Sequence, residues 1–291
     1  MKHALAAALI VFANAAVAWE LREIDPAAAP TDLFVEPFAP GPGDLPDGKM
    51  AELAGGDIVA AWYDGATDRY RHGALGDVIE AGRLVVRTAE GAVLSRDLPR
   101  AEVFEDRYPR LADLDGDGLV EVVTIRASQY DGAAIAIFGL RGGDLVELAA
   151  APWIGRPNRW LNIAGIAPYL GGETREIAYV ETPHIGGTLF LWRYADGRLA
   201  LKARLAGFSN HANGARELRL SATGDFDGDG RVDLVLPSDS RRTLRFVRFA
   251  ETGADVFDEV ELPGRVETAI LWREGRLIFG LTDGRVVELL R

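Results

Sequence analysis

The sequence predicts an all-β protein, and three features of its 291 residues support this prediction. Beyond about residue 57, short runs of β-branched and aromatic residues alternate with segments rich in Gly, Asp and Pro. No long stretch keeps the helical period of apolar positions that an amphipathic helix needs. One acidic motif also occurs twice, each time directly before a β-type run.

The runs have the four to seven residues that are usual for strands. The predicted strands are 58–63, 83–87, 122–126, 134–138, 145–149, 176–180, 189–193, 199–205, 218–221, 243–249, 256–262, 267–272, 277–280 and 285–289.

Residues 1–18 have the pattern of a secretory signal peptide, because a short polar start and an apolar run precede the small-x-small sequence Ala16-Val17-Ala18. The apolar run is too short to span a membrane. We therefore expect an exported protein, periplasmic or extracellular, without membrane insertion. Residues 19–56 are rich in Pro and Ala and predict an extended N-terminal arm, in which Leu33-Phe34-Val35 is a candidate strand. Residues 57–291 form the predicted β domain.

Composition excludes several classes of function. The formal net charge is −12, whereas a protein that binds nucleic acid needs a basic face for the phosphates. The chain has no cysteine, which excludes disulfides, thiol catalysis and a lipoprotein anchor. Stability must then come from core packing, supplemented by bound ions, and we expect a monomer.

The repeated motif reads D-x-D-G-D-G-x-x-[DE] and spans 113–121 and 225–233. Carboxylates at positions 1, 3 and 5 of a tight loop converge, and the acid at position 9 can close around the same point. Hard oxygen ligands in a flexible loop favour Ca²⁺. An EF-hand would need a bidentate Glu at position 12 and flanking helices. Those positions are Thr124 and Leu236, inside predicted strands, so we reject the EF-hand.

The motif belongs to a longer repeat. Glu176 follows Glu121 by 55 residues and precedes Asp233 by 57, and this middle copy keeps Gly171-Gly172 but has lost the Asp residues. A period near 55 with four strands is typical of a β-propeller blade. The chain beyond residue 18 then holds about five blades, or six or seven if the arm contributes strands. The last unit is one strand short, and we expect the segment at 58–63 to supply it and close the ring.

Over 109–255, these loops, strands and spacing resemble the FG-GAP / VCBS-repeat β-propellers, the family that includes the integrin α-subunit head. In that family, the loop between the first two strands of a blade holds one Ca²⁺, so the resemblance implies about two structural ions. Glu121 departs from the family's usual Asp, which predicts a looser or differently coordinated first site. The implied ligands are the side chains of Asp113, Asp115, Asp117 and Glu121 with the carbonyl of Leu119, and the side chains of Asp225, Asp227, Asp229 and Asp233 with the carbonyl of Arg231.

A second group of candidates carries no motif. The residues of this candidate ligand face lie in Gly-rich turns between predicted strands or just ahead of one; they are His72, Arg156, Arg159, Trp160, His184 and His211. The alternative is that they only cap carbonyls and stack on aromatic rings. No two histidines have metal-ligand spacing, and there is no G-x-S-x-G nucleophile elbow. The acid pair Glu102 and Glu105 is interpreted as a solvated strand edge.

The sequence therefore favours a non-catalytic, exported, Ca²⁺-binding module that recognises a protein or a glycan through a loop face. The alternative is an exported hydrolase or lyase, acting on a polysaccharide or a phosphate ester, with the His/Arg face as its centre. A purely structural role is the third hypothesis.

Overall fold

The computed structural model describes residues 19–291, so the predicted signal peptide lies outside the described residues. Within that range there are 21 strands, two 3-10 turns and no α-helix. The strands are β1 (Glu20–Ile24), β2 (Ala51–Glu52), β3 (Ile58–Thr67), β4 (Glu80–Thr88), β5 (Val93–Asp97), β6 (Glu102–Phe104), β7 (Arg110–Ala112), β8 (Glu121–Ser128), β9 (Gly132–Arg141), β10 (Asp144–Ala150), β11 (Leu161–Ala167), β12 (Glu176–Glu181), β13 (Gly187–Ala195), β14 (Arg198–Phe208), β15 (Ala222–Gly224), β16 (Asp233–Pro237), β17 (Thr243–Ala250), β18 (Gly253–Glu261), β19 (Leu271–Arg273), β20 (Arg276–Gly280) and β21 (Val286–Leu290). The turns are Pro26–Ala28 and Thr31–Leu33. In this part of the chain no helix is long and apolar enough to cross a bilayer.

The prediction of an all-β chain is confirmed, and its unit is a four-stranded antiparallel meander. Strands β11–β14 and β15–β18 form two such sheets, and β19–β21 form a third together with β1. The meanders β2–β5 and β7–β10 belong to one nine-stranded sheet, because the short strand β6 pairs with both β4 and β8. In chain order, we call these five units the first to fifth meanders, with β1 in the fifth.

The apolar core lies between successive meanders. The middle strands β8 and β9 are buried on both faces, as their near-continuous apolar sequences require, whereas the outer strand β5 is mostly exposed. One apolar cluster joins the first and second meanders, and others join the second to the third, the third to the fourth and the fourth to the fifth. The core is thus a series of layers, each shared by two neighbouring units.

The N-terminal arm differs from its prediction. The strand added to the last unit is Glu20–Ile24, which pairs along β21, and 58–63 is instead part of β3 in the first meander. The expectation for 58–63 was therefore wrong. Leu33-Phe34-Val35 is not a strand either, because the chain there forms a 3-10 turn and buries Leu33 against Ile278 and Val286.

The sequence analysis missed β5, the seven-residue β11 and three very short strands. β2, β6 and β7 have only two or three residues each, which is too few to show an alternating pattern. The predicted strands at 218–221 and 267–272 are displaced, since β15 begins at Ala222 and β19 at Leu271. The longer middle strands were all placed within a few residues.

Candidate functional site

Two groups of functional side chains lie at opposite ends of the meanders. Each acidic loop joins the first strand of a meander to the second, β7 to β8 and β15 to β16. The candidate ligand face comes from the connections β3–β4, β10–β11, β12–β13 and β14–β15, which leave from the other end of antiparallel strands. We call these two ends the acidic-loop end and the histidine end.

A cavity of about 170 Å³ opens at the histidine end. Its lining consists of His72, Asn158, Arg159, Trp160, Thr182, His184, Ile185 and Asn213. Four of the six residues predicted for a ligand face are therefore brought together from separate connections. His211 lies directly behind them, whereas Arg156 is exposed and lies outside the lining.

His184 and His211 form a hydrogen-bonded pair with a defined tautomer. The Nε2 atom of His211 lies 3.0 Å from the carbonyl oxygen of Ala215, and its Nδ1 atom lies 2.7 Å from Nε2 of His184. A carbonyl oxygen only accepts, so Nε2 of His211 carries the proton and its Nδ1 accepts from His184. The remaining nitrogen of neutral His184, Nδ1, is then unprotonated, on a ring that lines the cavity.

His72 is paired with an acid that sequence reasoning placed at a solvated strand edge. Its Nδ1 atom lies 2.6 Å from Oε1 of Glu105, and the Glu105 side chain is wholly buried. The other oxygen of Glu105 is buried without a hydrogen-bond partner. The interpretation of Glu105 as a solvated edge was wrong, because the pairing of β6 between β4 and β8 carries the next residue into the core.

Trp160 connects the two pairs. Its ring is stacked on His184 at a centroid distance of 5.9 Å and meets the edge of His211 at 4.6 Å. Its indole Nε1 donates to the backbone carbonyl of Glu105 over 2.8 Å. The indole therefore holds both imidazoles and the Glu105 backbone in one rigid arrangement.

Burial keeps the histidines of this site neutral. Burial, with the nearby His72 and Arg241, lowers the pKa of His184 to about 4. Burial and His184 lower the pKa of His211 to about 3. The pKa of His72 is lowered by burial and by Arg159.

The pKa values of the acids behind His72 are shifted in the opposite direction. Burial and the neighbouring Asp106 raise the pKa of Glu105 well above its usual range. Glu80 is opposite Glu105, one position beyond the Ala81–Phe104 pair, and burial together with Glu105 raises its pKa to about 10. At neutral pH these shifts favour a protonated Glu80 and a neutral His72–Glu105 pair, in which the Glu105 carboxyl donates to Nδ1 of His72.

At the acidic-loop end, the first loop folds around its own carboxylates. Asp113 accepts from the amides of Gly116 and Gly118 at 2.7 and 3.0 Å, and both glycines have positive φ. Glu121 is wholly buried and accepts from the amide of Leu114 at 2.9 Å. Oxygens of Asp113, Asp115 and Glu121 lie within 4.8 Å of one another, so this acidic cluster could hold a metal ion.

The second loop repeats the turn and adds a guanidinium. Asp225 accepts from the amides of Gly228 and Gly230 at 2.7 and 2.8 Å. Oxygens of Asp225, Asp227 and Asp229 lie within 4.8 Å of one another, which makes a second cluster able to hold a metal ion. Arg248 from β17 reaches into this cluster and bonds to Asp227 and, at 3.3 Å, to Asp233.

The remaining predicted ligands do not all join these clusters. Asp117 and Asp229 accept from the amides of Leu119 and Arg231, which closes the turn two residues further along. Asp117 and Asp233 lie outside the two three-residue groups, and Asp233 is turned toward Arg248. Buried oxygens without a hydrogen-bond partner remain on Asp115 and Glu121 in the first loop and on Asp233 in the second. The two in the first cluster make it suited to a cation.

A larger cavity of about 840 Å³ lies among the inner strands β2, β7 and β11. Two of its arginines are already paired, Arg110 with Asp106 and Arg219 with Glu217. The hydrogen-bonded histidines lie at the smaller cavity, and we place the candidate chemistry there.

No protein-family model matches the sequence, and no curated protein is significantly similar to it. Two solved structures with a likeness to this chain are the exotype rhamnogalacturonan lyase YesX and the rhamnogalacturonan lyase PL11 of Bacillus licheniformis. Each has 16% sequence identity and a TM-score of 0.49, with 84% and 82% of this chain covered, respectively. The match covers 48% of each of those chains, so this chain spans about half their length. We draw no functional conclusion from this likeness.

Proposed function

We propose that this protein is an exported acid–base enzyme, a hydrolase or lyase acting on an anionic polysaccharide or a phosphate ester. The observation that carries the proposal is the convergence of two histidine pairs, His72–Glu105 and His184–His211, on one cavity. Each imidazole that lines the cavity is supported by a buried partner, which is the arrangement that general acid–base catalysis needs. The geometry favours this alternative over a non-catalytic binding module.

The proposed roles follow from the hydrogen bonds. Neutral His184 accepts a proton from the substrate or from water through Nδ1, while its Nε2–H remains bonded to His211. His72 donates a proton from Nε2 to the leaving group as its Nδ1 takes up the proton of Glu105. Arg159 lines the same cavity and offers a positive charge to a carboxylate or phosphate.

The size of the cavity limits what is held. A volume of about 170 Å³ is below the range of typical drug-sized ligand sites. It suits one sugar ring or one phosphate group of a larger substrate. The exposed Ile185 at the rim and the stacked Trp160 below offer apolar contacts to such a ring.

We also propose that the five meanders form a closed five-bladed β-propeller of the FG-GAP / VCBS type. In support, the outer strand β10 packs against β5 and β14, and β14 packs against β18. The arm joins the fifth meander to the first and second: Leu33 packs on β20 and β21, and Glu36 is bonded to the buried Arg107 at 2.7 Å. In this proposal the acidic loops hold structural Ca²⁺, and the signal peptide directs export.

A substrate screen with matched variants tests the catalytic proposal. The mature chain would be incubated with uronate polysaccharides and phosphate esters, and the products would be followed as unsaturated sugars, new reducing ends and free phosphate. Unsaturated products identify a lyase, and saturated products identify a hydrolase. We expect turnover that is lost in His184→Ala and kept in Arg156→Ala, since Arg156 lies in the β10–β11 connection close to the cavity-lining Arg159 but outside the cavity.

The binding-module alternative makes a different prediction for the same protein. If one of these ligands binds to the cavity, is not converted, and binds as well to His184→Ala, the catalytic proposal is wrong. A glycan- or protein-binding role would then be the better description of the histidine end.

A further inference from the structure

The three repeats differ at one position that faces the acid at position 9 of the motif. Glu176 pairs directly with Arg193 across strands β12 and β13. Val122 is opposite Phe138 and Leu234 is opposite Val247, so the next residues along, Glu121 and Asp233, face Gly139 and Arg248. The facing residue is therefore an arginine in the third and fourth meanders and a glycine in the second.

The acid at this position has a shared structural role in the second and third meanders. One oxygen of Glu121 accepts from the amide of Leu114, and one oxygen of Glu176 accepts from the amide of Leu170 at 3.0 Å. The second oxygen of Glu176 receives the guanidinium of Arg193 at 2.8 Å. The second oxygen of Glu121 has no partner, although the side chain is wholly buried.

In the fourth meander, Arg248 places one positive charge within the acidic loop, although the second oxygen of Asp233 is buried without a hydrogen-bond partner. Its guanidinium bonds to Asp227, lies 3.4 Å from Asp229 and donates through Nε to Asp233 at 3.3 Å. It also lies 4.4 Å from the ring centre of Phe257, which holds the side chain over the loop. By contrast, among residues 19–291 no Lys or Arg forms an ion pair with the acids of the first loop.

The first loop has no facing arginine, because the position opposite Glu121 is a glycine. Gly139 is buried, and a side chain there would meet Leu148 within 2.7 Å at its first carbon. Its four carboxylates, Asp113, Asp115, Asp117 and Glu121, are therefore left without an internal cation. A buried, unpartnered carboxylate oxygen is costly unless a cation binds to it.

We infer that the protein has one high-affinity divalent-cation site, at Asp113, Asp115 and Glu121, and that Arg248 takes the place of the ion in the second loop. A divalent ion entering the second loop must displace the guanidinium or bind beside its positive charge. This inference rests on the proposed Ca²⁺ role of the motif and revises the ion count that the motif alone predicts. In the middle repeat the Asp residues are absent, and only the Arg193–Glu176 pair remains.

Calorimetric titration of the chelator-treated mature chain with Ca²⁺ tests the inference. For the wild type we expect one tight site, with any second site at least about 10-fold weaker. Glu121→Gln removes the tight site, whereas Asp229→Asn leaves it unchanged. Arg248→Gln removes the competing charge and raises the number of tight sites to two.

Arg193→Gln is the matched control. It removes the equivalent cross-strand arginine from a meander without the Asp residues, so it creates no new Ca²⁺ site. If Arg248→Gln does not fold, the contrast between Glu121→Gln and Asp229→Asn still shows which loop holds the tight site.

The outcomes separate the inference from the proposals on which it rests. Two equally tight sites in the wild type, or a tight site lost in Asp229→Asn and kept in Glu121→Gln, would overturn the inference and leave the Ca²⁺ role of the motif intact. If no Ca²⁺ binds at all, both the Ca²⁺ role and the inference are wrong. The proposed acid–base chemistry is read out separately, as turnover at the histidine end.

Discussion

The acidic-loop end and the histidine end are built in different ways. Each acidic loop takes its carboxylates from nine consecutive residues, and backbone amides of the same loop hold those carboxylates in place. The histidine end takes its groups from five separate segments between residues 72 and 215, and its imidazole and indole rings have hydrogen-bond partners in other segments. A locally organised end is suited to fastening a turn, and an end organised by the whole fold is suited to catalysis. We therefore expect changes at one end to affect stability and changes at the other to affect turnover.

The largest expected effect is at the histidine end. His184→Ala removes the proposed base, and we expect turnover to fall by at least about 100-fold. The melting temperature should change little, since half-buried His184 makes few of the contacts that hold the meanders together. Steady-state kinetics and thermal unfolding, with Arg156→Ala as the control, check this prediction. Comparable losses of stability and turnover would contradict the proposal that the histidine end serves catalysis and the acidic-loop end serves stability.

A smaller loss of turnover is expected when the proton behind His72 is removed. Glu105→Gln keeps the shape of the side chain but cannot relay a proton, so we expect turnover to fall by about 10- to 100-fold. The mutation also removes a buried ionisable group, so stability should be unchanged or higher. Titration of His72 by NMR should show an altered pKa in this variant. An unchanged pKa would mean that the 2.6 Å contact carries no proton.

Removing metal should affect the other end. With Ca²⁺ at 100 times its Kd, binding stabilises the folded chain by about 2.7 kcal/mol, so a chelator should lower the melting temperature by about 5 to 10 °C. Turnover at a temperature where the apoprotein stays folded should be unchanged, because the acidic loops lie at the opposite end of the strands. Differential scanning fluorimetry and an assay with and without chelator check both statements. Loss of turnover without unfolding would mean that the acidic loops also take part in catalysis.

The smallest effect concerns pH. The folded-state pKa values of His184 and His211, about 4 and about 3, lie below the unfolded value near 6.5. Both rings are therefore neutral in the folded chain at pH 5, and their effect on stability is a loss as pH falls from about 6.5 toward 4. The buried Glu80 and Glu105, whose pKa values are raised, act in the opposite direction. Residue-specific NMR titration should show His184 and His211 unprotonated at pH 5, and protonation near pH 6.5 would contradict the burial argument.

Much of the fold was predictable because the middle strands carry their own signal. Strands such as β8, β9 and β13 have continuous or alternating apolar patterns, and all were predicted within a few residues. Strand β1 was not predicted, because its sequence Glu-Leu-Arg-Glu-Ile is mostly exposed at the edge of β21 and has little apolar pattern. Its position depends on the partner strand at the far end of the chain.

The candidate site, too, could be predicted from the sequence only in part. The sequence grouped six residues of polar loops as one candidate ligand face, and in the structure all of them except Arg156 come together at the cavity or directly behind it. It did not identify Glu105, whose burial depends on the pairing of β6 with two neighbours. It also did not identify Arg248, which reaches the second acidic loop only because β17 lies beside β16.

The sequence by itself determined the all-β class, the repeat of about 55 residues and the two acidic loops, because strand patterns and tight turns are set by neighbouring residues. Only the tertiary structure decided which strand completes the fifth meander, which loops meet at the histidine end, and which acidic loop receives an arginine side chain. Those outcomes depend on contacts between residues 15 to 270 positions apart in the chain, such as Arg248 with Asp233 and β1 with β21.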